Sequence, residues 1–176
     1  MWIYVASPLG FAPSGRDFYY RRLLPGLRGA RHDVIDPWKL PSSAAIERAR
    51  RRPSGRARRD ALSIANAEAA RGNQRAIDRA DVILAVLDGA DVDSGTAAEI
   101  GYAFARGKAI VGYRGDVRRA GDNEGALVNL QVEYFIRASG GTIVTRVADV
   151  RRALAGLTRG GRARRTARAS SSRRTR

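Results

Sequence analysis

Val82-Ile-Leu-Ala-Val-Leu-Asp88, followed by Gly-Ala-Asp91-Val-Asp93-Ser-Gly95-Thr-Ala-Ala-Glu99-Ile-Gly-Tyr-Ala103, is the stretch on which the fold turns. The run from Val82 to Leu87 is too continuously apolar for a strand with one wet face, and it reads as a strand buried on both sides. A turn rich in glycine and carboxylates then gives way to a helical stretch, Thr96–Arg106. Strand, loop and helix together make one unit of a parallel α/β sheet.

The same alternation recurs on either side. Apolar runs at Trp2–Ser7, Asp33–Trp38, Ala109–Arg114 and Thr142–Arg146 are separated by helical stretches at Gly15–Arg28, Asp60–Arg79, Val128–Ala138 and Val147–Leu157. The pattern predicts a single-domain α/β fold over residues 1–158, a doubly wound, flavodoxin- or Rossmann-like sheet of five parallel strands. Pro25 is expected to end or kink the first helix. Ligands in such sheets bind outside the carboxyl ends of the strands, near the point where strand order reverses. The informative residues should therefore follow strands one, three and four.

Composition narrows the class. A chain of 176 residues holds one domain with a proper core and leaves little for a second. There is no cysteine, which removes disulfides, thiolate metal sites and thiol catalysis together. No metal and no cofactor is expected. The first apolar run stops at Ser7-Pro8 with no basic region before it, so it reads as a strand, neither signal peptide nor membrane span. A cytoplasmic location and no membrane contact are the expectation.

The net charge of +16 is unevenly placed. Arg48 to Arg59 holds seven arginines and no acid, and Arg159 to Arg176 holds eight and no acid, which leaves about +1 for everything else. Residues 159–176 contain no large apolar side chain and read as a disordered, arginine-rich tail. The stretch 41–59, with Pro41 and Pro53 around a short helical candidate at Ser42–Arg52, reads as a basic insertion on the surface.

Three clusters carry chemistry. Tyr4-Val-Ala-Ser7-Pro8-Leu-Gly10-Phe11 runs from a strand into a loop of small residues, which makes Ser7, Pro8 and Phe11 candidates for ligand contact; the segment also reads as an ordinary β-α turn with glycine for backbone freedom. It lacks the GxGxxG of a dinucleotide site. In the second cluster Asp88, Asp91, Asp93 and Glu99 crowd a strand end and the following helix. Asp93 suits a helix cap, with Ser94 as an alternative. Glu99 has Ala98, Ile100, Ala103 and Phe104 as neighbours, so its carboxylate must face a polar cavity or find a partner. In the third cluster Asn129 opens a helix, where capping and ligand contact are both open to it, and Gln131 follows; Asp116 and Arg118 suit a loop salt bridge.

A carboxylate at a strand end is suited to attack an anomeric carbon as a base departs. A 2-deoxy sugar eases this, because it lacks the electron-withdrawing hydroxyl that destabilises an oxocarbenium-like transition state. The leaving base needs a proton or a hydrogen bond, for which Asp93 and Asn73 are the candidates.

These residues resemble the nucleoside 2-deoxyribosyltransferases. The matching positions are Tyr4 with Ala6-Ser7-Pro8, Asn73 through Ala80-Asp81, Asp93-Ser-Gly95-Thr-Ala-Ala-Glu99-Ile-Gly-Tyr-Ala103, Gly107-Lys108 and Asn129-Leu130. The resemblance implies that Glu99 is the nucleophile, that Tyr4 orients it and that Asp93 contacts the base. It further implies deoxynucleoside and free-base substrates, contacts from Ser7, Pro8, Phe11, Asn73, Asp88, Gly95 and Gln131, and a homo-oligomer in which Asn129 is lent across the interface to the neighbour's sugar. Members often carry an aspartate where this chain has Asn73, which bears on base preference. Two other readings compete. One is an N-glycosidase of the same superfamily acting on 2′-deoxynucleoside or pyrimidine nucleoside 5′-monophosphates, with Ser7, Ser14, Arg16 and Ser94 as a phosphate pocket; Asn129 and Gln131 suit neutral hydroxyls better. The other is a nucleic-acid-binding protein that uses its arginine runs, the basic tail included, for contacts without sequence reading.

Overall fold

The computed structural model describes residues 1–27 and 32–157, so the arginine-rich tail expected at 159–176 lies outside the described residues. Five parallel strands, β1 (Trp2–Ala6), β2 (Asp33–Ile35), β3 (Val82–Val86), β4 (Ala109–Tyr113) and β5 (Ile143–Val144), form one sheet in the order β2-β1-β3-β4-β5. This is the doubly wound α/β topology that the alternation predicts. Strand order reverses between β1 and β3, where Tyr4 pairs with Ile83 and Ala6 with Ala85.

The continuous apolar runs are explained by helices on both faces. Tyr4, Ala6, Ile83 and Ala85 point into a core closed by α4 (Arg56–Arg79), α5 (Ser94–Ala105) and α6 (Leu130–Ala138). Their strand neighbours Ile3, Val5, Leu84 and Val86 point the other way, onto α1 (Pro13–Phe18), α2 (Leu24–Leu27) and α7 (residues 147–157). All five residues of β3 are buried. At about 1.5–3 kcal/mol for each fully buried large aliphatic side chain, this strand anchors the fold.

Two local expectations are refined. Of the two outcomes expected at Pro25, an end or a kink, the helix does not end there: a π turn, Tyr19–Leu23, joins α1 to α2, and the Leu24 N–H reaches the carbonyl of Tyr19. A wide turn at that place lets a residue with no N–H sit within the last turn, and the helix runs on to Leu27. The second strand is also shorter than Asp33–Trp38. It ends at Ile35 because the Asp36 carboxylate accepts the Trp38 N–H at 3.0 Å and Pro37 fixes a 3-10 turn over Pro37–Lys39. Trp38 is thereby taken off the sheet.

The helical candidate at Ser42–Arg52 forms as α3 (Pro41–Arg50) and folds back on α4 as a hairpin, with Ala49 and Ala65 buried. Its arginines at 48 and 50–52 are exposed. Among the described residues no helix is long and apolar enough to cross a membrane.

Candidate active site

At the carboxyl ends of β1, β2 and β3 lies a cavity of about 230 Å³. Glu99 lies on its wall, one turn into α5, and the helix is oriented by its own cap: Asp93 Oδ2 accepts the Thr96 N–H at 2.9 Å and the Thr96 hydroxyl at 3.2 Å. Below it, Tyr4 projects from the middle of β1 and donates its phenol to Glu99 Oε1 at 2.6 Å. Asn73, from α4, donates its amide to the same oxygen at 3.2 Å. Glu99 Oε2 has no donor among the described residues and is not sealed from the cavity. One carboxylate oxygen is thus clamped and the other is presented.

Burial pushes the Glu99 carboxyl up to about 7; the Tyr4 hydrogen bond pulls it down, the Asp93 charge adds to the rise, and the Asn73 hydrogen bond lowers it again. Burial and the Glu99 charge drive the Tyr4 phenol far above its ordinary range, so it stays a hydrogen-bond donor. A carboxylate held close to neutrality can ionise to attack and tolerate loss of its charge on bond formation.

Most of the residues expected at the site converge. Ser7, Phe11, Asn73, Asp93, Gly95 and Glu99 all line the cavity, and Tyr4 sits directly behind Glu99. Others are placed elsewhere. Asp88 accepts the Gly115 and Asp116 N–H groups at 2.6 and 2.9 Å and so ties the loop after β4 to the end of β3. Pro8 starts a 3-10 turn, Pro8–Phe11, and is not among the cavity-lining residues. Asn129 caps α6, its Oδ1 accepting the Gln131 and Val132 N–H groups at 3.1 and 3.4 Å, and neither it nor the exposed Gln131 reaches the cavity of its own chain. Asp116 and Arg118 form the expected loop salt bridge. Ala98 is exposed, although Ile100 and Ala103 are buried as their helix positions require.

The loop after β4 contributes nothing to the cavity, and the segment after β2 takes its place. Pro37, Trp38, Ser42, Ser43 and Ile46 line it, a set that periodicity does not reveal. Trp38 meets Phe11 edge-on, with ring centroids 4.7 Å apart. Its indole lies directly over Gly10, where an added Cβ would run into the ring, so glycine is required there. The Asp36 carboxylate holds this turn by accepting both the Trp38 N–H and the Tyr19 hydroxyl, and the Ser43 hydroxyl donates to the Pro37 carbonyl. The signals present in the sequence are Asp36-Pro37 as a turn starter and Pro41-Ser42-Ser43 as a helix start.

Two further residues brace the site from behind. Arg114, 1% exposed, spends its guanidinium on the carbonyls of Leu87, Gly89 and Arg118, which joins the loop leading to Asp93 to the loop after β4. Lys108 donates to the carbonyls of Asp78 and Ala80 at 2.8 and 2.7 Å, which fixes the end of α4 against β4.

The sequence profile of the family described as nucleoside 2-deoxyribosyltransferase matches residues 3–131, well over half of the chain. The chain belongs to the nucleoside 2-deoxyribosyltransferase family. Solved structures agree on the fold. A conserved protein from Enterococcus faecalis V583 is similar at 26% identity and a TM-score of 0.62, over 89% of this chain and 98% of its own. The 2-desoxiribosyltransferase from Leishmania mexicana is similar at 22% identity and 0.59, over 89% and 95%. A CMP N-glycosidase from Clostridium botulinum shares the fold at 16% identity and 0.52, over 89% and 99%. No curated protein sequence matches the chain significantly. Membership of the nucleoside 2-deoxyribosyltransferase family makes the chain one of an enzymatic family acting on nucleosides and bases.

Proposed function

We propose that the protein is a nucleoside 2-deoxyribosyltransferase that works through a covalent deoxyribosyl ester on Glu99. The observation that carries this reading is the asymmetric clamp on Glu99. Tyr4 and Asn73 both hold Oε1, which leaves Oε2 to attack the anomeric carbon. As the C1′–O bond forms, the N-glycosidic bond breaks and its electron pair leaves with the base. Asp93 and the Asn73 amide stand on the cavity wall to meet the base; Asp93 relays a proton from solvent to the departing base and takes one back from the incoming base, while the Asn73 amide only hydrogen-bonds. A second base then attacks C1′ from the face the first one left, and Glu99 is released as carboxylate. Two inversions retain the β configuration.

A nucleoside fits the lining better than a 5′-monophosphate. Two carboxylates, Asp93 and Glu99, line the cavity, and no lysine or arginine is among the lining residues. Ser14, Arg16 and Ser94, which a phosphate pocket would use, are exposed and outside the lining. A phosphomonoester would bring its charge toward carboxylates with no cation to meet it. Asn129, which does not reach its own cavity, fits a role at a neighbour's sugar in a homo-oligomer.

The test is incubation with deoxyinosine or thymidine, with and without a second free base, beside the matching 5′-monophosphates. Exchange that needs the second base and ignores the monophosphates is expected. Base release from monophosphates alone would assign the site to hydrolysis.

A further inference from the structure

The arginine run at 48–59 sits on a folded element. It forms the tip of the α3–α4 hairpin, where residues 50–57 are all exposed. The turn is closed by Gly55 at φ 140°, a conformation that side chains other than glycine resist. Ala49 and Ala65 are buried where the two helices meet, and Arg48 and Arg52 border the cleft between them together with Asp60 and Glu68, neither of which comes within ion-pair distance of them.

Most of this charge is unanswered within the chain. Glu47 pairs with Arg50 at 2.9 Å, and Asp60 lies 3.8 Å from Arg56. Arg48, Arg51, Arg52, Arg58 and Arg59 have no ion pair among the described residues. Five like charges gathered on one tip repel one another, a cost that an external polyanion relieves. Guanidinium groups match phosphate oxygens in pairs of parallel hydrogen bonds. Two helices side by side span about 20 Å, and duplex nucleic acid carries one charge per about 1.7 Å of axis. Such a tip therefore faces enough phosphates to pair all five arginines.

The tip's composition selects the kind of polyanion. Residues 48–59 contain no aromatic side chain to stack on bases, so contact is confined to phosphates and reads no sequence. They also contain no Leu, Ile, Met, Phe or Trp, the residues a membrane-surface helix sinks into lipid. We propose that the tip of the α3–α4 hairpin is a docking surface for the phosphate backbone of double-stranded nucleic acid. The Glu99 end of the cavity lies away from the tip, since Asn73 is fifteen residues from Arg58 along α4, about 22 Å at 1.5 Å per residue, while the cavity's α3 wall at Ile46 is two residues from Arg48.

The measurement is fluorescence anisotropy of a labelled 20-base-pair DNA duplex titrated with the full-length protein across a range of potassium chloride concentrations. The comparison is a full-length variant carrying Arg48→Gln, Arg51→Gln, Arg52→Gln, Arg58→Gln and Arg59→Gln, with its helical circular dichroism and melting temperature matched to the parent. The variant should bind more weakly at low salt, and its slope of log K against log salt should be shallower by about 4.5, the release expected for five phosphate contacts. Both proteins carry residues 159–176 unchanged, so the difference between them reports the hairpin alone. Equal affinity and equal slope in the two proteins would overturn the proposal. Displacement of the duplex by polyglutamate at matched charge, as effective as unlabelled duplex, would also overturn it and point to an acidic protein segment.

Discussion

Two sets of residues line one cavity and were built on different principles. Asn73, Asp93 and Glu99, backed by Tyr4, are hydrogen-bonding groups delivered by the middle of β1, by α4 and by the first turns of α5. Phe11, Pro37, Trp38 and Ile46 are apolar surfaces delivered by the turns after β1 and β2 and by α3. Tyr4 and Asn73 are held by direct hydrogen bonds to Glu99 Oε1 and Asp93 by its cap on Thr96, so under the proposed function the residue types of this set are dictated by chemistry. The second is held by packing, as with Trp38 on Gly10, and many apolar residues would satisfy it. Under the proposed function the first set makes and breaks the bond, and the second shapes what base is held while that happens.

The largest effect that can break this division is at Glu99. Glu99→Ala and Glu99→Gln should each lower kcat by at least about 10³-fold, since neither side chain can form the ester. The amide variant should nonetheless be the more stable protein at pH 8. The Glu99 carboxyl titrates at about 7 in the fold against 4.5 for the ordinary group, so the folded chain holds the extra proton between those values. Its charged form costs stability above pH 7, and the cost disappears as pH falls toward 4.5. Glu99→Gln should therefore raise the melting temperature at pH 8, by the equivalent of at most about 3 kcal/mol, and leave it unchanged at pH 4.5. Activity near that of the parent in either variant would remove the chemical role of Glu99.

A second prediction asks whether the division is complete within one chain. Asn129 belongs to neither set, because it caps α6 away from its own cavity. If it serves a neighbour, Glu99→Ala and Asn129→Ala proteins, each nearly inactive alone, should regain a measurable fraction of activity when mixed and reassembled. Mixtures shown by mass to have exchanged subunits but still inactive would leave Asn129 as a helix cap only.

The same division explains what is legible in the sequence. The sheet can be read because β3, buried on both faces, has no polar position to obscure it, and Glu99 can be read because a carboxylate beside Ile100 and Ala103 demands a cavity. Asp93 is legible both as cap and as site residue, since one oxygen serves the helix while the residue lines the cavity. Trp38 is hidden because an apolar residue after Val34 and Ile35 continues a strand pattern, and only the Asp36 side chain, bonding two residues ahead, turns it out of the sheet. The 41–59 stretch is read from its arginines, which are indeed on the outside, while Ser42, Ser43 and Ile46 of the same helix line the cavity. Charge announces itself in a sequence; a face of small and aliphatic residues does not.

A third prediction sharpens the role of the packed set. Trp38→Ala should raise KM by about 10–100-fold with a smaller change in kcat, because it removes binding surface that substrate and transition state share. Gly10→Ala should act in the same direction, since its Cβ takes space the indole occupies. A fall in kcat as large as that for Glu99→Gln, with KM unchanged, would place Trp38 with the chemical set.

The smallest expected effect is a shift in pH dependence, and it tests how the chemical set is tuned. An attacking carboxylate must be ionised, so kcat/KM of the parent should fall about tenfold per pH unit on the acid side of about 7, the value to which burial brings Glu99. Tyr4 pulls that value down by donating to Oε1 at 2.6 Å. In Tyr4→Phe the hydrogen bond is lost while the ring still fills the core, so the carboxyl rises and the acid limb should move to higher pH by about one to two units, the equivalent of the roughly 1.5–3 kcal/mol of a hydrogen bond to a charged group. Asn73→Asp should move the limb the same way for a different reason, since a second negative charge replaces a donor to the same oxygen. The two can be separated by salt: screening should shrink the shift caused by the introduced carboxylate more than the shift caused by the missing phenol. An acid limb that stays in place in Tyr4→Phe would mean that the phenol positions Glu99 without setting its charge, and that the clamp on Oε1 is geometric alone.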